Sequence, residues 1–272
     1  MQRAATISIG TLGSAATFAG EATSHMRAVY PEFGEPSYFP SMEDCWLALK
    51  HGAVDMIILG AERTGQPHHG EAIITHGFYV VAESTQPLRC NLYVKPGSAK
   101  SAIRQITGHG SIHQCTKYLD LEFPGVPRQM HGLNSVEAAQ AVMAGDGTTA
   151  VVGSVSLPRM VPGLQELAAG INDDDALCLW WAVSRQPAFS DRPDSVVITL
   201  RCGADGTLGL LIDAIQDTGY RLQTAAAFAV NSGVSVYDYL LTFGGRGMLS
   251  TVEQVIARNT GARLAGAYEK RS

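Results

Sequence analysis

The chain has 272 residues, 46% of them hydrophobic, enough to bury one large core or two smaller ones, so about two domains are expected. A formal net charge of -5, spread along the chain, leaves no basic stripe to neutralise a phosphate backbone and argues against nucleic acid as a partner. The cysteines Cys45, Cys90, Cys115, Cys178 and Cys202 are odd in number and never form a C-x-x-C pair, so neither a disulfide framework nor a metal site is expected, and no cofactor is called for.

Met1-Gln2-Arg3 leads directly into a strand-like run, Ala4 to Ile9, with no apolar leader. No later apolar run approaches the roughly 20 residues that span a bilayer, so a cytoplasmic protein with no membrane partner is expected. Ser41 starts a helix with a hydroxyl cap and early acids, Gly52 closes it, and Val54 to Leu59 reads as a buried strand. The same unit returns at Asn134-Ser135-Val136-Glu137, where a capped Ala-rich helix runs to Met143, turns at Gly145-Asp146-Gly147 and enters a strand, Thr149 to Val152. Two similar helix–strand units suggest two similar lobes. Ser184 to Pro193 is rich in proline and polar residues and marks a boundary. Beyond it the order is strand (Val196 to Arg201), helix (Leu208 to Thr218), strands (Leu222 to Phe228, Ser235 to Phe243), helix (Met248 to Asn259) and a strand near Leu264, which is β-α-β-β-α-β.

No stretch carries a self-sufficient catalytic signature such as G-x-S-x-G, a P-loop or H-E-x-x-H. A succession of imperfect motifs is more telling. Leu12-Gly13-Ser14-Ala15-Ala16-Thr17-Phe18-Ala19 is similar to L-G-P-x-G-T-F-S, and Thr107-Gly108-His109-Gly110-Ser111-Ile112-His113-Gln114-Cys115 to S-H-P-Q-A-L-x-Q-C. Gly206-Thr207-Leu208 and Leu264-Ala265-Gly266-Ala267-Tyr268 are similar to G-A-L and L-G-S-Y near the far end. In this order the motifs resemble the prephenate dehydratase family over nearly the whole chain. The resemblance implies an α/β protein with a two-lobed, periplasmic-binding-protein-like catalytic domain over residues 1–186, followed by an α+β ferredoxin-like ACT domain over residues 194–272. It implies prephenate as the small-molecule substrate and a homodimer or homotetramer. Helix N-termini suit a dicarboxylate, and the turns holding Thr17-Phe18 and Thr107 to Ser111 are placed to supply them.

Three departures concern the parts a dehydratase uses. The family's P-I-E-N-S aligns with Ile58 to Glu62, putting Ala61 where a substrate-binding Asn stands. Its N-x-T-R-F aligns with Ala176 to Trp180, putting Cys178 where the resemblance implies a Thr that protonates the departing hydroxyl, and Leu179 where it has Arg. Prephenate decarboxylases of bacterial secondary metabolism resemble dehydratases, lack T-R-F and lose carbon dioxide without aromatising the ring. The chain fits that subgroup better, and removal of the ring carboxylate to give a dihydro-4-hydroxyphenylpyruvate is the expected reaction. Dehydration to phenylpyruvate with another donor, and a non-catalytic sensor of a small dicarboxylate, are the competing readings.

The candidate proton donors are His76 and His109, since imidazole titrates near neutral pH; for His76 the competing reading is an ordinary turn residue beside Gly77. Thr17, Phe18, Thr107, Gly108, Gln114, Cys178 and Trp180 are the candidate substrate-binding residues. His113 is expected to face away from Gln114. Cys178 reads as packing in preference to a thiol donor. Of Trp180 and Trp181, one is expected in the core and the other at the pocket. Glu62 beside Arg63, and Asp173-Asp174-Asp175, are expected to be exposed turns.

Overall fold

The structure, a computed structural model, describes residues 6–63, 66–67, 69–130, 134–173, 177–230 and 235–271. Ala4 and Ala5 of the expected first strand, and Asp174 to Ala176, lie outside the described residues.

The first lobe contains β1 (Ile7–Leu12), α1 (Phe18–Val29), β2 (Phe33–Phe39), α2 (Met42–His51), β3 (Met56–Arg63), β4 (Gln66–Pro67), α3 (Gly70–His76) and β5 (Tyr79–Pro87). The chain then crosses to a second lobe of β6 (Cys90–Val94), β7 (Gln105–Gly108), α4 (Thr116–Glu122), β8 (Arg128–Met130), α5 (Ser135–Ala144), β9 (Thr149–Ser154), α6 (Leu157–Met160) and β10 (Gln165–Ala168). It returns to the first lobe as β11 (Leu177–Ser184), which inserts antiparallel between β3 and β5. The first sheet therefore reads β2-β1-β3-β11-β5 and the second β10-β6-β9-β7-β8. The two crossings are tied together where Ile171 N–H donates to the Cys90 carbonyl (2.8 Å) and Cys90 N–H to Asn172 Oδ1 (3.3 Å). This is the two-lobed α/β arrangement expected.

Local signals set the helix ends. Ser41 Oγ accepts from Asp44 N–H, and α2 ends at Gly52 in the left-handed region (φ 76°), where a side chain would be strained. Asn134 Oδ1 accepts from the N–H groups of Val136 and Glu137. Asp173 is no exposed turn. It caps α4, accepting from Thr116 N–H, Thr116 Oγ1 and Lys117 N–H (3.2, 2.7 and 2.8 Å).

The last unit runs β12 (Ser195–Cys202), α7 (Thr207–Gln216), β13 (Tyr220–Ala229), β14 (Tyr237–Gly245), α8 (Leu249–Ala257) and β15 (Ala262–Tyr268). Its strands are antiparallel in the order β13-β14-β12-β15, the ferredoxin-like order. One face of that sheet, with Val196, Ile198 and Phe243, packs on Leu211 and Ile215 of α7 and Val252 of α8. The other face joins the first lobe: Ala226, Leu240, Ala265 and Tyr268 share a core with Trp46, Ile73 and Phe78.

The sequence suggests separate units across a linker, yet the two sheets meet edge to edge. Gly266 bridges to Val80, making one ten-stranded sheet. A Cβ on Gly266 would lie 2.7 Å from the Val80 carbonyl oxygen, so only glycine allows this approach. Polar groups fasten the same seam. Buried Glu83 on β5 accepts from Tyr268 Oη (2.6 Å) and pairs with Lys270 Nζ (2.5 Å). The Arg263 guanidinium donates to the carbonyls of Gly77 and Phe78 just past α3 (3.3 and 3.2 Å) and stacks on Tyr79. Among the described residues, no helix is long and apolar enough to cross a membrane.

Candidate active site between the lobes

The lobes face each other where β1 and β3 end and β11 begins. Strand alternation divides β11. Cys178, Trp180 and Ala182 pack beneath α1 with Ala19, Ala22 and Ile58, whereas Leu179, Trp181 and Val183 join the core on the other face with Trp46 and Ile73. Trp180 pairs with Gly60 in register, and a Cβ at Gly60 would meet the Trp180 ring at 3.7 Å and Cys178 Sγ at 3.8 Å. The register slips at this point: Leu179 opposes Glu62 and Trp180 opposes Gly60, leaving Ala61 as the extra residue of a bulge. Gly60 thus lies against Trp180 and Cys178 at ordinary contact distance. Cys178 is 3% exposed and Trp180 8%.

Phe18 opens α1 and packs on the cores of both lobes, so it closes the gap between them. Thr17 caps α1, donating to the Ser14 carbonyl (2.8 Å) and accepting from Gly20 N–H (3.2 Å). Its one proton is therefore already used, and what this end of α1 offers a carboxylate is backbone N–H. The lobes are latched beside it: Ser154 Oγ donates to the Ala16 carbonyl (3.0 Å), and Ser156 N–H to Glu21 Oε1 (3.1 Å).

In the second lobe, Gly110–Gln114 forms a 3-10 turn above the ends of β7, β8 and β9. Such a turn has three residues per repeat, so side chains eclipse in pairs. Ile112 and Cys115 enter the lobe core, His113 is exposed, and Ser111 and Gln114 are buried on the third side. The separation of His113 from Gln114 is as expected. Cys115 lies fully buried beside Cys90, and the hydrogen bond between the thiols together with burial pushes its thiol far up, so it serves as packing. Asp173, whose cap holds the following helix, shows opposing influences: burial raises its carboxyl, but the bonds from Thr116 and Lys117 outweigh this and lower it.

Of the candidate residues, the structure brings Phe18, Cys178 and Trp180 together on the first lobe and sets Gly108, His109 and Gln114 at the end of β7 and the 3-10 turn of the second. His109 is half-buried at the start of the 3-10 turn. Gly108 sits tight, with the place of a Cβ 3.1 Å from the Val152 carbonyl oxygen. Thr107 points elsewhere. Its hydroxyl donates to the Gln129 carbonyl (3.1 Å), and its side chain lines a cavity of about 420 Å³ with Gln105, Gln129 and Val142 on the α5 face of the sheet. His76 is separated from the rest. It is exposed at the end of α3, its ring tilted against Phe78 (5.3 Å) and Trp46 (6.2 Å), beside the β5 residue Tyr79 that pairs with Ser184, at the end of β11 opposite Cys178. Its ring is drawn there by the aromatic cluster under α2. The Ser154–Ala16 and Ser156–Glu21 latches were not found from sequence, because contacts over that separation leave no local pattern. The Ser111 hydroxyl had a signal in the sequence, since the similar motif has alanine there.

Two α/β lobes crossed twice by the chain, latched beside the N-terminus of a helix, define a two-lobed α/β fold of the kind that holds small molecules between its lobes. Residues 9–188 match the family model for prephenate dehydratase, and the chain belongs to that family. A bifunctional chorismate mutase/prephenate dehydratase of Stutzerimonas stutzeri is 22% identical over 264 residues, 92% of this chain and 71% of that protein. Among solved structures, a prephenate dehydratase of Arthrobacter aurescens in complex with L-Phe superposes with a TM-score of 0.79 at 19% identity, covering 97% of this chain and 90% of that one. GqqA, described as a novel type of quorum-quenching acylase, superposes with a TM-score of 0.76 at 17% identity, covering 96% and 97%. At these identities the superpositions bear on fold alone. Family members are lyases acting on prephenate, and the chain is an enzyme of that class.

Proposed function

We propose that this enzyme removes the ring carboxylate of prephenate without aromatising the ring, giving a dihydro-4-hydroxyphenylpyruvate. The observation that carries the reading is Cys178, 3% exposed against Trp180 and Gly60, at the position where the family resemblance implies a threonine hydroxyl. An S–H group is a weak hydrogen-bond donor, so it engages the ring hydroxyl less well than a threonine O–H would, and a hydroxyl that is not held and assisted is a poor leaving group. Loss of carbon dioxide needs less. The bond from the quaternary ring carbon to the carboxylate breaks, its electrons move through the diene, and a distal ring carbon takes one proton. A poorly solvated carboxylate favours this step, and on this reading the apolar cluster of Phe18, Cys178 and Trp180 is what the ring carboxylate meets. His109 is the proposed donor to the ring carbon; His76 is too far along β11 to share that task. Phe18, Gln114, Cys178 and Trp180, with the backbone about Thr17 and Gly108, are the proposed substrate contacts.

The reading divides the chain into a catalytic region, 1–186, and an ACT-like unit, 194–272, that assembles dimers or tetramers. Ala225 to Phe228, where the family's effector motif would fall, carries no charged or hydroxyl side chain, and Ala226 and Phe228 pack toward the first lobe. Incubating purified protein with prephenate, with carbon dioxide release and the near-ultraviolet spectrum followed together, tests the reaction. Phenylpyruvate as the sole product overturns it in favour of dehydration, and binding without turnover favours a sensor.

A further inference from the structure

We propose that Ser111 is a substrate-contacting residue, its hydroxyl donating a hydrogen bond to a carboxylate oxygen of the bound dicarboxylate. The proposal rests on the reading that the cleft holds prephenate. Ser111 is 1% exposed, and its Oγ has no hydrogen-bond partner among the described residues. A hydroxyl buried in this way is costly to keep, and a well-packed protein would carry alanine there unless something else completes the bond. The similar family motif has alanine at this position.

The turn shows where the hydroxyl faces. Ile112 and Cys115 take the side of the turn directed into the lobe core, and His113 takes the solvent side. Ser111 and Gln114 share the third side and are both buried. The turn rests on the end of β9, where Ser154 touches Ala16 just before α1. On the proposal, the third side meets the substrate across from the N-terminus of α1. A carboxylate held between them would take N–H donors from one lobe and the Ser111 hydroxyl from the other, so binding would also draw the lobes together.

Ser111→Ala in the full chain tests this through KM, kcat and the thermal midpoint without substrate. A lost bond to a carboxylate raises KM about tenfold or more, while the midpoint without prephenate stays the same or rises, because no internal bond is removed. An unchanged KM in the variant overturns this inference alone. A midpoint lowered by several degrees, or a variant that does not fold, shows a structural hydroxyl and also overturns it. Failure of the parent protein to bind or convert prephenate, read as a thermal shift and as turnover, defeats the reaction reading and this inference with it.

Discussion

Replacing Tyr268 with Phe tests whether the seam between the first lobe and the C-terminal unit is held by a buried carboxylate. Tyr268 is 3% exposed and its Oη donates to Glu83 Oε2 at 2.6 Å. Glu83 would keep Lys270, an ion pair whose lysine is 42% exposed, and a long contact from Ser195 Oγ at 3.5 Å. Phenylalanine fills nearly the same volume, so the loss is the bond. A hydrogen bond to a charged group contributes roughly 1.5–3 kcal/mol, and leaving the carboxylate short of a donor puts Tyr268→Phe near 2 kcal/mol. For a chain of this size that is about 4–8 °C in the thermal midpoint. Burial first, then the Glu83 charge, holds the Tyr268 hydroxyl well above its ordinary value of 10.0. The unfolded tyrosine ionises near that value while the folded one stays neutral. Its contribution is therefore complete below about pH 10 and is lost above it, by up to about 1.4 kcal/mol per pH unit. Denaturant titrations at neutral pH and at about pH 11 should show the variant weaker at neutral pH and the gap closing in alkali. Equal midpoints at neutral pH with parallel pH profiles would refute the role assigned to this bond, as would a double-mutant cycle with Glu83→Gln showing no coupling.

Asp173→Ala should cost about 1 kcal/mol as a lost helix cap. Because the native carboxyl is lowered, its contribution is present above the ordinary value of 3.8 and disappears as pH falls below it, so the variant's acid limb should be flatter in denaturation at pH 3 to 7. Gly266→Ala should destabilise by about 1–3 kcal/mol, since the new Cβ meets backbone at 2.7 Å, and a calorimetric scan measures it. Cys178→Thr should raise the share of phenylpyruvate among the products of prephenate, read by chromatography, by restoring a hydroxyl donor beside Trp180.

The legible parts of the fold were those written locally. Ser41, Gly52 and Asn134 act within one turn of themselves, and caps placed from sequence fall where the structure has them. The β-α-β-β-α-β order was likewise readable, because each element carries its own period. Pairing was not. β11 lies between β3 and β5, and nothing in Leu177 to Ser184 names partners so far back in the chain. The docking of β15 on β5 rests on the missing side chain of Gly266 and on Glu83, which in sequence is one acid among 25 aspartates and glutamates. At the site, residue type pointed to the right segments but not to what the groups do. Thr17 and Thr107 lie in turns suited to a carboxylate, yet both hydroxyls donate to carbonyls of their own lobes.

This spending of the threonine hydroxyls bears on the chemistry. A cleft that held the ring carboxylate of prephenate with strong side-chain donors would stabilise the charge that decarboxylation must give up, and so would oppose the step. In this chain Leu179, at the family's arginine position, turns into the apolar core beside Trp181, and Thr17 is tied to Ser14. What remains near the N-terminus of α1 is backbone N–H, with the apolar cluster of Cys178 and Trp180 beneath the helix. On the proposed reading, that asymmetry sorts the two carboxylates: the pyruvyl group takes the donors and the ring carboxylate lies against Phe18 and Trp180, where its charge is poorly solvated and departure as neutral carbon dioxide relieves the cost. On the same reading the residues at 178 and 179 act together, the cysteine by offering the ring hydroxyl only a weak hydrogen-bond donor and the leucine by leaving the ring carboxylate without a cation.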